Sequence, residues 1–186
     1  MNEKEISKKL VFNGKLFRVW HLEVELEDGT RASREHIERK LGSVVGVFLD
    51  RFDKDANVYL IREFRSAAKE IKIGLPGGRF DPSSEAPGSA MTREMREEVG
   101  LRPQNIEKLF EYHGGSSWVW HQYFYLCTEP VNDPLPHDND ERLEVINIPF
   151  VDLFKEVWAG KGNWEASNFQ AIIMIAKRLG LIEKKE

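Results

Sequence analysis

The chain has 186 residues, of which 41% are hydrophobic and 31% are charged. These values exclude a collagen-like, low-complexity or globally disordered protein, and the length suits one domain, with or without an extra N-terminal element. The 27 Lys and Arg residues against 31 Asp and Glu give a net charge of −4. That balance argues against a general nucleic-acid binder, because phosphate binding favours a basic surplus.

The single cysteine, Cys127, excludes an intrachain disulfide and a zinc site built from cysteines. It favours a reducing compartment, so we expect a cytoplasmic protein. The charged residues 1–9 have no apolar stretch behind them and do not resemble a secretory signal. Apolar runs such as 44–49 are too short to span a bilayer, so no membrane partner is expected.

The order of apolar and polar residues predicts nine strands. Within 16–26 the alternation has a period of two residues, and Asp28-Gly29 after it indicates a hairpin turn. Pro76-Gly77-Gly78 is expected to break regular structure. In chain order the predicted strands are 9–13, 16–26, 30–38, 43–50, 58–64, 71–75, 104–113, 119–127 and 143–148.

Three helices are predicted between and after these strands. Pro87 suits the first position of a helix, and Gly100 suits the position just past its end. Ser167 is typical of an N-cap for the last helix. In chain order the predicted helices are 87–99, 150–159 and 167–180.

The segment 129–140 contains three prolines and is predicted to be a long loop, which in a compact domain is often functional. We find no internal repeat and no linker rich in Pro, Gly or Ser. The mixed order of strands and helices indicates the α+β class.

Three carboxylates of the first predicted helix, those of Glu94, Glu97 and Glu98, are spaced so that they share one helix face. Like charges at that spacing destabilise a helix by roughly 0.2–0.5 kcal/mol per pair, and a bound cation would reverse this effect. Hard ions such as Mg²⁺ bind carboxylate, phosphate and water oxygens, so the trio suits metal-assisted phosphate chemistry. The alternative is a solvated acidic face, neutralised in part by Arg93 and Arg96.

The full pattern around this helix resembles the Nudix box, G-x5-E-x7-R-E-U-x-E-E-x-G-U, in which U is a bulky aliphatic residue. Glu85 is followed by seven residues and then by Arg93-Glu94-Met95-Arg96-Glu97-Glu98-Val99-Gly100-Leu101. Every required position from Glu85 onward matches. The start departs from the pattern, because six residues rather than five separate Gly78 from Glu85. This difference indicates a one-residue insertion in the loop 79–84.

The resemblance extends to the ADP-ribose and nucleotide-sugar pyrophosphatase branch of the Nudix hydrolases, across residues 9–78 and 140–150. Two departures concern the substrate. Gly74 stands where the branch often has a glutamate, and 114–118 lacks a proline that ADP-ribose pyrophosphatases often carry. The chain therefore resembles most closely a bacterial nucleoside diphosphate sugar hydrolase.

This resemblance implies a mixed β-sheet packed between helices, an α/β/α sandwich, preceded by an N-terminal β-segment. It also implies cleavage of a pyrophosphate that links a nucleoside to another group, with Mg²⁺ as the cofactor and Mn²⁺ as an alternative. The metal ligands implied are Glu94, Glu98, Glu97 and the carbonyl of Gly77. In this reading Glu97 and Glu98 are also catalytic through the metal.

The remaining roles also follow from the resemblance. Arg93 is expected to orient the carboxylates, and the general base is expected to be Glu141 or Glu144, with a merely solvated acidic loop as the alternative. Four substrate contacts are expected. A period of two places Arg62 and Arg65 on opposite faces of their strand, and the resemblance favours Arg65 as the diphosphate contact. The four are Arg65, Arg62, Arg79 and Trp118.

Residues 1–40 are predicted to form the N-terminal β-segment and 41–186 the catalytic domain. So few N-terminal strands cannot bury a core of their own, so they must pack on the catalytic domain or on a second subunit. The resemblance implies a homodimer. Two alternatives remain open: a hydrolase of nucleoside triphosphates or dinucleoside polyphosphates, and a non-catalytic Nudix module that senses a nucleotide.

Overall fold

The computed structural model describes residues 2–137, 142–164 and 168–182. Within these ranges the chain forms eleven strands, three α-helices and a π-helical turn, Met95–Val99, that continues the first helix. The strands are β1 (Glu3–Asn13), β2 (Phe17–Leu26), β3 (Arg31–Arg39), β4 (Gly42–Leu49), β5 (Asn57–Arg65), β6 (Glu70–Gly74), β7 (Gly77–Phe80), β8 (Leu101–His113), β9 (Trp118–Val119), β10 (His121–Asn132) and β11 (Leu143–Pro149). The helices are α1 (Pro87–Glu94), α2 (Phe150–Trp158) and α3 (Phe169–Arg178).

The strands form two sheets. The central sheet has the order β11-β5-β4-β10-β8, with β6 paired to β5 and β7 paired to β4. The N-terminal sheet has the order β1-β2-β3-β9. In each sheet one pair is parallel, β4 with β10 and β3 with β9, and the other pairs are antiparallel.

Helices cover both faces of the central sheet. Successive side chains of a strand point to opposite faces. On β4, Val44 and Phe48 accordingly belong to the apolar cluster that contains Met91 of α1. Val47 and Leu49 belong to the other cluster, which also contains the buried residues of α2 and α3. The predicted α+β class with a sheet between helices is confirmed.

The N-terminal sheet buries much less. Among its strands only Leu22 and Val24 of β2 are buried, and every residue of β1 is exposed. Its last strand, β9, comes from the connection between β8 and β10 and pairs with Ile37 and Glu38 of β3. The first forty residues are therefore joined by backbone pairing to a segment from far along the chain.

Two predictions about loops need correction. The expected break in regular structure falls at Leu75-Pro76, whereas Gly77 and Gly78 already belong to β7. Gly77 lies so close to β4 that a Cβ there would overlap the Val44 carbonyl. The predicted loop 129–140 begins later, since β10 continues to Asn132. Pro130 is tolerated in β10 because it lies opposite Pro103, and neither residue has an N–H to donate.

Other element boundaries also differ from the prediction. β1 begins at Glu3 rather than at residue 9, and the predicted helix 87–99 divides into α1 and the π-helical turn. The hairpin at Asp28-Gly29 is confirmed: Gly29 has a φ of 81° and its N–H donates to Leu26 O at 2.9 Å. The predicted N-cap Ser167 lies outside the described residues. No helix in the described ranges combines the length and apolar character needed to cross a bilayer.

Candidate active site

Two glycines of β7 lie against two carboxylates, one at the end of α1 and one in the π-helical turn that follows it. The N–H of Gly77 donates to Glu98 Oε2 at 2.8 Å. A Cβ on Gly78 would overlap the carboxylate of Glu94. Because glycine has no side chain at these points, both carboxylates can rest directly on the backbone of the strand.

The π-helical turn sets the position of Glu98 relative to Glu94. The N–H of Gly100 donates to the carbonyl of Met95, five residues earlier, and Gly100 ends the turn in the left-handed conformation with a φ of 77°. Both carboxylates are almost fully buried, with 7% of Glu94 and 6% of Glu98 exposed. Such π-helical turns occur frequently at functional sites.

Arg93 binds three carboxylates at once. Its Nε and Nη2 donate to the two oxygens of Glu85 at 3.1 and 3.0 Å, and its Nη1 donates to Glu94 and Glu97 at 2.8 Å each. Nη2 also donates to the carbonyl of Arg79 at 3.2 Å. These bonds, first those to Glu85, raise the pKa of Arg93. We call Arg93 with its four surrounding glutamates, Glu85, Glu94, Glu97 and Glu98, the carboxylate cluster.

The extra residue before Glu85 is absorbed by a tight turn. Asp81 Oδ1 accepts the backbone N–H of Ser83 at 2.9 Å, and its carbonyl accepts the N–H groups of Ser84 and Glu85 at 3.0 and 2.9 Å. These bonds compact the segment, so that Glu85 still reaches Arg93. The inserted residue therefore leaves the carboxylate cluster in place.

A cleft of about 1090 Å³ opens beside this cluster, at the upper end of the range for small-molecule sites. Glu94, Glu98 and Arg93 lie on its wall together with Gly77 and Gly78. Several cationic side chains also line it, and they come from five different parts of the chain. They are Lys15, Arg39, Arg65, Arg79 and Arg142.

The structure distributes the other predicted site residues unequally. Arg65 and Arg79 line the cleft, and Arg65 forms an ion pair with Glu63. Arg62 instead pairs across the strands with Glu144 at 3.2 Å, and both side chains are largely exposed. Glu141 lies outside the described residues.

Two further predicted residues do not line the cleft. Glu97 points to Arg93, and Trp118 lies in β9 with 46% of its surface exposed. Its neighbour Trp120 lines the cleft, with the two rings 5.8 Å apart.

Sequence reasoning missed Arg39 and Ser43, and it preferred Trp118 to Trp120. Arg39, Ser43 and Trp120 all line the cleft, but none of them belongs to a recognisable local motif. They meet because β3, β4 and β10 bring their ends to the same place, with Ser43 opposite Gln122 on one side and Arg79 on the other. Only strand register predicts such a meeting.

The residues fit a hard divalent ion. No three His, Cys, Asp or Glu side chains of the described ranges are grouped closely enough to hold a metal by themselves. Glu94 and Glu98 nevertheless offer two buried sets of carboxylate oxygens at the cleft wall. Mg²⁺ commonly binds through one or two carboxylates and completes its shell with water and substrate phosphate, so this donor set suits it.

The sequence model of the NUDIX domain family matches residues 40–167. The ADP-ribose pyrophosphatase of Bacillus subtilis (strain 168) is 23% identical over 160 residues, covering 84% of each chain. The ADP-ribose pyrophosphatase of Mycobacterium tuberculosis is 28% identical over 159 residues, covering 84% of this chain and 75% of that protein. A solved structure of an ADP compounds hydrolase superposes with a TM-score of 0.84 at 21% identity, covering 97% of this chain and 95% of that one.

Proposed function

The chain belongs to the NUDIX domain family, and we propose that it hydrolyses the pyrophosphate bond of a nucleoside diphosphate sugar, giving a nucleoside monophosphate and a sugar phosphate. The observation that carries this proposal is the cleft in which the buried pair Glu94 and Glu98 faces a wall of cationic side chains. The names of the two similar pyrophosphatases support ADP-ribose as the first substrate to test.

We propose that the reaction uses Mg²⁺, with Mn²⁺ as the alternative. Glu94 and Glu98 would hold the ion, with the Gly77 carbonyl as a further ligand and Glu97 acting at the edge of the site through Arg93. Bound there, the ion would polarise the phosphoryl oxygens and favour ionisation of the attacking water. Arg93 keeps the carboxylates fixed, which supplies the positioning that phosphoryl transfer needs.

Glu141 is our preferred general base, with Glu144 as the second candidate. The ion pair of Glu144 with Arg62, at 3.2 Å, gives that carboxylate another role and supports the preference. Glu141→Gln should lower kcat much more than it raises KM, because an amide cannot accept the proton of the attacking water. Steady-state kinetics with a Glu144→Gln control would test this, and an unchanged kcat in Glu141→Gln would remove that residue from the role.

For the substrate, Arg65 and Arg79 are proposed as diphosphate contacts, since both line the cleft. Arg62 and Trp118, which do not line it, are proposed only as outer contacts. We also propose a cytoplasmic setting, which the lone cysteine supports, because Cys127 cannot form an intrachain disulfide and proteins of reducing compartments rarely contain one.

The N-terminal β-segment, residues 1–40, is proposed to mediate a homodimer and to complete the cleft of the domain 41–186. Four large apolar side chains of β1 are 40–57% exposed, and an exposed apolar strand is a ready surface for a second copy. They are Ile6, Leu10, Val11 and Phe12. Multi-angle light scattering should give a dimer mass, and Val11→Ser with Phe12→Ser should shift it toward the monomer. A wild-type monomer at working concentration would defeat the proposal.

Two other functions compete with this one. A hydrolase of nucleoside triphosphates or dinucleoside polyphosphates would use the same carboxylates on a different substrate. A sensor without activity would bind nucleotide but not cleave it, and the buried, fully supported Glu94 and Glu98 argue against that role.

The deciding experiment is incubation of the purified protein and a Glu98→Gln control with Mg²⁺ and a substrate panel, followed by chromatography. The panel contains ADP-ribose, ADP-glucose, GDP-mannose, UDP-glucose, NADH, ATP, GTP and diadenosine polyphosphates. We expect release of a nucleoside monophosphate and a sugar phosphate, lost in the control. Turnover of triphosphates alone would favour the first alternative, and binding without turnover would favour the second.

A further inference from the structure

Two buried polar atoms on the cleft wall have no hydrogen-bond partner among the described residues. They are Oγ of Ser43, a residue only 6% exposed, and Nε1 of Trp120. Buried hydroxyl and indole N–H groups nearly always have a partner, and leaving one unpaired is unfavourable. Both residues line the cleft, so a small rotation of either side chain would bring its donor group to a ligand bound there.

Arg39 lies on the same wall, in surroundings that disfavour its positive charge. Burial, together with the positive charge of Arg79, lowers the pKa of Arg39. Its guanidinium stacks on the ring of Trp120, 5.8 Å from the centroid. No carboxylate of the described residues forms an ion pair with it, in contrast to Arg65 and Arg93.

These groups share one chemical property: each has a hydrogen to donate. A sugar hydroxyl is matched best by donors and acceptors together, whereas a phosphate oxygen only accepts. Among the acidic side chains of the cleft lining, Glu63 is paired with Arg65, and Glu94 and Glu98 belong to the carboxylate cluster. The wall is therefore complementary to an anion rich in oxygen.

We infer that Arg39, Ser43 and Trp120, together with Arg79, bind the phosphate of the substrate that is not held at Glu94 and Glu98. This inference rests on the proposed function, which it refines: the carboxylate cluster serves one phosphate of the diphosphate, and this donor set serves the other. Arg79 joins the two, because its carbonyl accepts from Arg93 and its side chain lines the same cleft as Arg39. Arg39 thus gives the N-terminal sheet a direct contact with the substrate.

Binding can be measured apart from catalysis. Inorganic pyrophosphate is titrated into the metal-free protein, in EDTA, by isothermal calorimetry. Arg39→Met should weaken binding about ten- to a hundredfold, since it removes charged hydrogen bonds, and Ser43→Ala and Trp120→Phe should each weaken it about two- to tenfold. Arg51→Met is the matched control, because Arg51 is exposed and pairs with Asp50 away from the cleft.

The outcomes of this titration distinguish failure of the inference from failure of the proposed function. Absence of pyrophosphate binding in the wild type, or wild-type affinity in Arg39→Met, would overturn the inference. Binding that depends on Arg39 supports it even when no nucleotide sugar is hydrolysed, and in that case only the proposed function fails. With an active enzyme, Arg39→Met should raise KM for the nucleotide sugar while kcat changes little, and free phosphate should inhibit the wild type more than the variant. Circular dichroism of each variant confirms that it is folded.

Discussion

Arg93 and Arg39 line the same cleft, but their surroundings are opposite. Arg93 donates to three carboxylates and a carbonyl, and its pKa is raised. Arg39 is half-buried beside another arginine, stacks on an aromatic ring, has no ion-pair partner in the part of the chain that the structure describes, and has a lowered pKa. The charge of Arg93 is neutralised by carboxylates of the same chain, whereas we infer that the charge of Arg39 is neutralised by a bound anion.

The contrast separates two uses of the same side chain. A guanidinium enclosed by carboxylates stabilises the fold and holds other groups in place. A guanidinium kept near a second cation destabilises the fold slightly and is retained where a ligand repays that loss, as is common at functional sites. Substitutions on the two sides should therefore act differently on activity and on stability.

The largest effect is expected from Gly78→Ala, which breaks the carboxylate cluster without altering a charge. The new Cβ would overlap the carboxylate of Glu94 and displace it from the cleft wall. A displacement of about 1 Å at such a site can lower the rate about a hundredfold. Turnover of the best substrate at saturating Mg²⁺ measures it. Gly88→Ala, where a Cβ meets nothing within 4 Å, is the control and should keep wild-type activity.

The second largest effect is expected from Arg93→Met, which should lower the stability of the fold. It leaves the buried Glu94 and the partly buried Glu85 and Glu97 without their cation. After allowance for the third of the side chain that is exposed, the cost is about 2 kcal/mol, or about 4–8 °C in Tm for a chain of this size. Thermal melts in EDTA would show the loss, and added Mg²⁺ should recover part of it. An unchanged Tm would mean that the cluster is not held together by this arginine.

Arg39→Met should have the smallest effect on stability, and it should raise the Tm rather than lower it. A folded pKa below the unfolded value means that the charged form is disfavoured by folding, and this holds at every pH below that folded pKa, including neutral pH. Removing the charge should therefore raise Tm slightly, because burial and then the charge of Arg79 disfavour the charged guanidinium, although solvent screens this half-exposed group. Each kcal/mol gained corresponds to about 2–4 °C. The melt is recorded without phosphate in the buffer. A lower Tm would show that Arg39 has a structural partner and would end the contrast with Arg93.

The sequence was sufficient for the local part of the site. Arg93, Glu94 and Glu98 follow one another within a single helical segment that resembles the Nudix box, and this resemblance predicted both the family and the confirmed fold. It did not predict the π-helical turn, because that feature depends on which carbonyl the N–H of Gly100 selects. Nor did it predict that Gly77 and Gly78 would form a strand, since the reason lies in the backbone of β4.

The donor set was beyond such reasoning for a different reason. Arg39 and Trp120 lie 81 positions apart in the sequence, with Ser43 close to Arg39, and the parallel pairing of β4 with β10 and the placement of β3 bring the three together. The sequence named Trp118 rather than Trp120, but it is Trp120, just after the two-residue strand β9, that lines the cleft. Non-local pairing decides which of these two tryptophans lies at the cleft wall.

The π-helical turn also bears on which changes in length the chain tolerates. A residue can be added between Gly78 and Glu85, because the turn at Asp81 takes up the extra length. Deleting one of the three residues between Glu94 and Glu98 would instead remove the wide turn and leave Glu98 only three positions after Glu94, changing both its direction and its position along the helix axis, the latter by about 1.5 Å. Glu98 would then lose the N–H of Gly77. Insertions and deletions in descendants of this sequence should thus accumulate before Glu85 and be absent between Glu94 and Gly100.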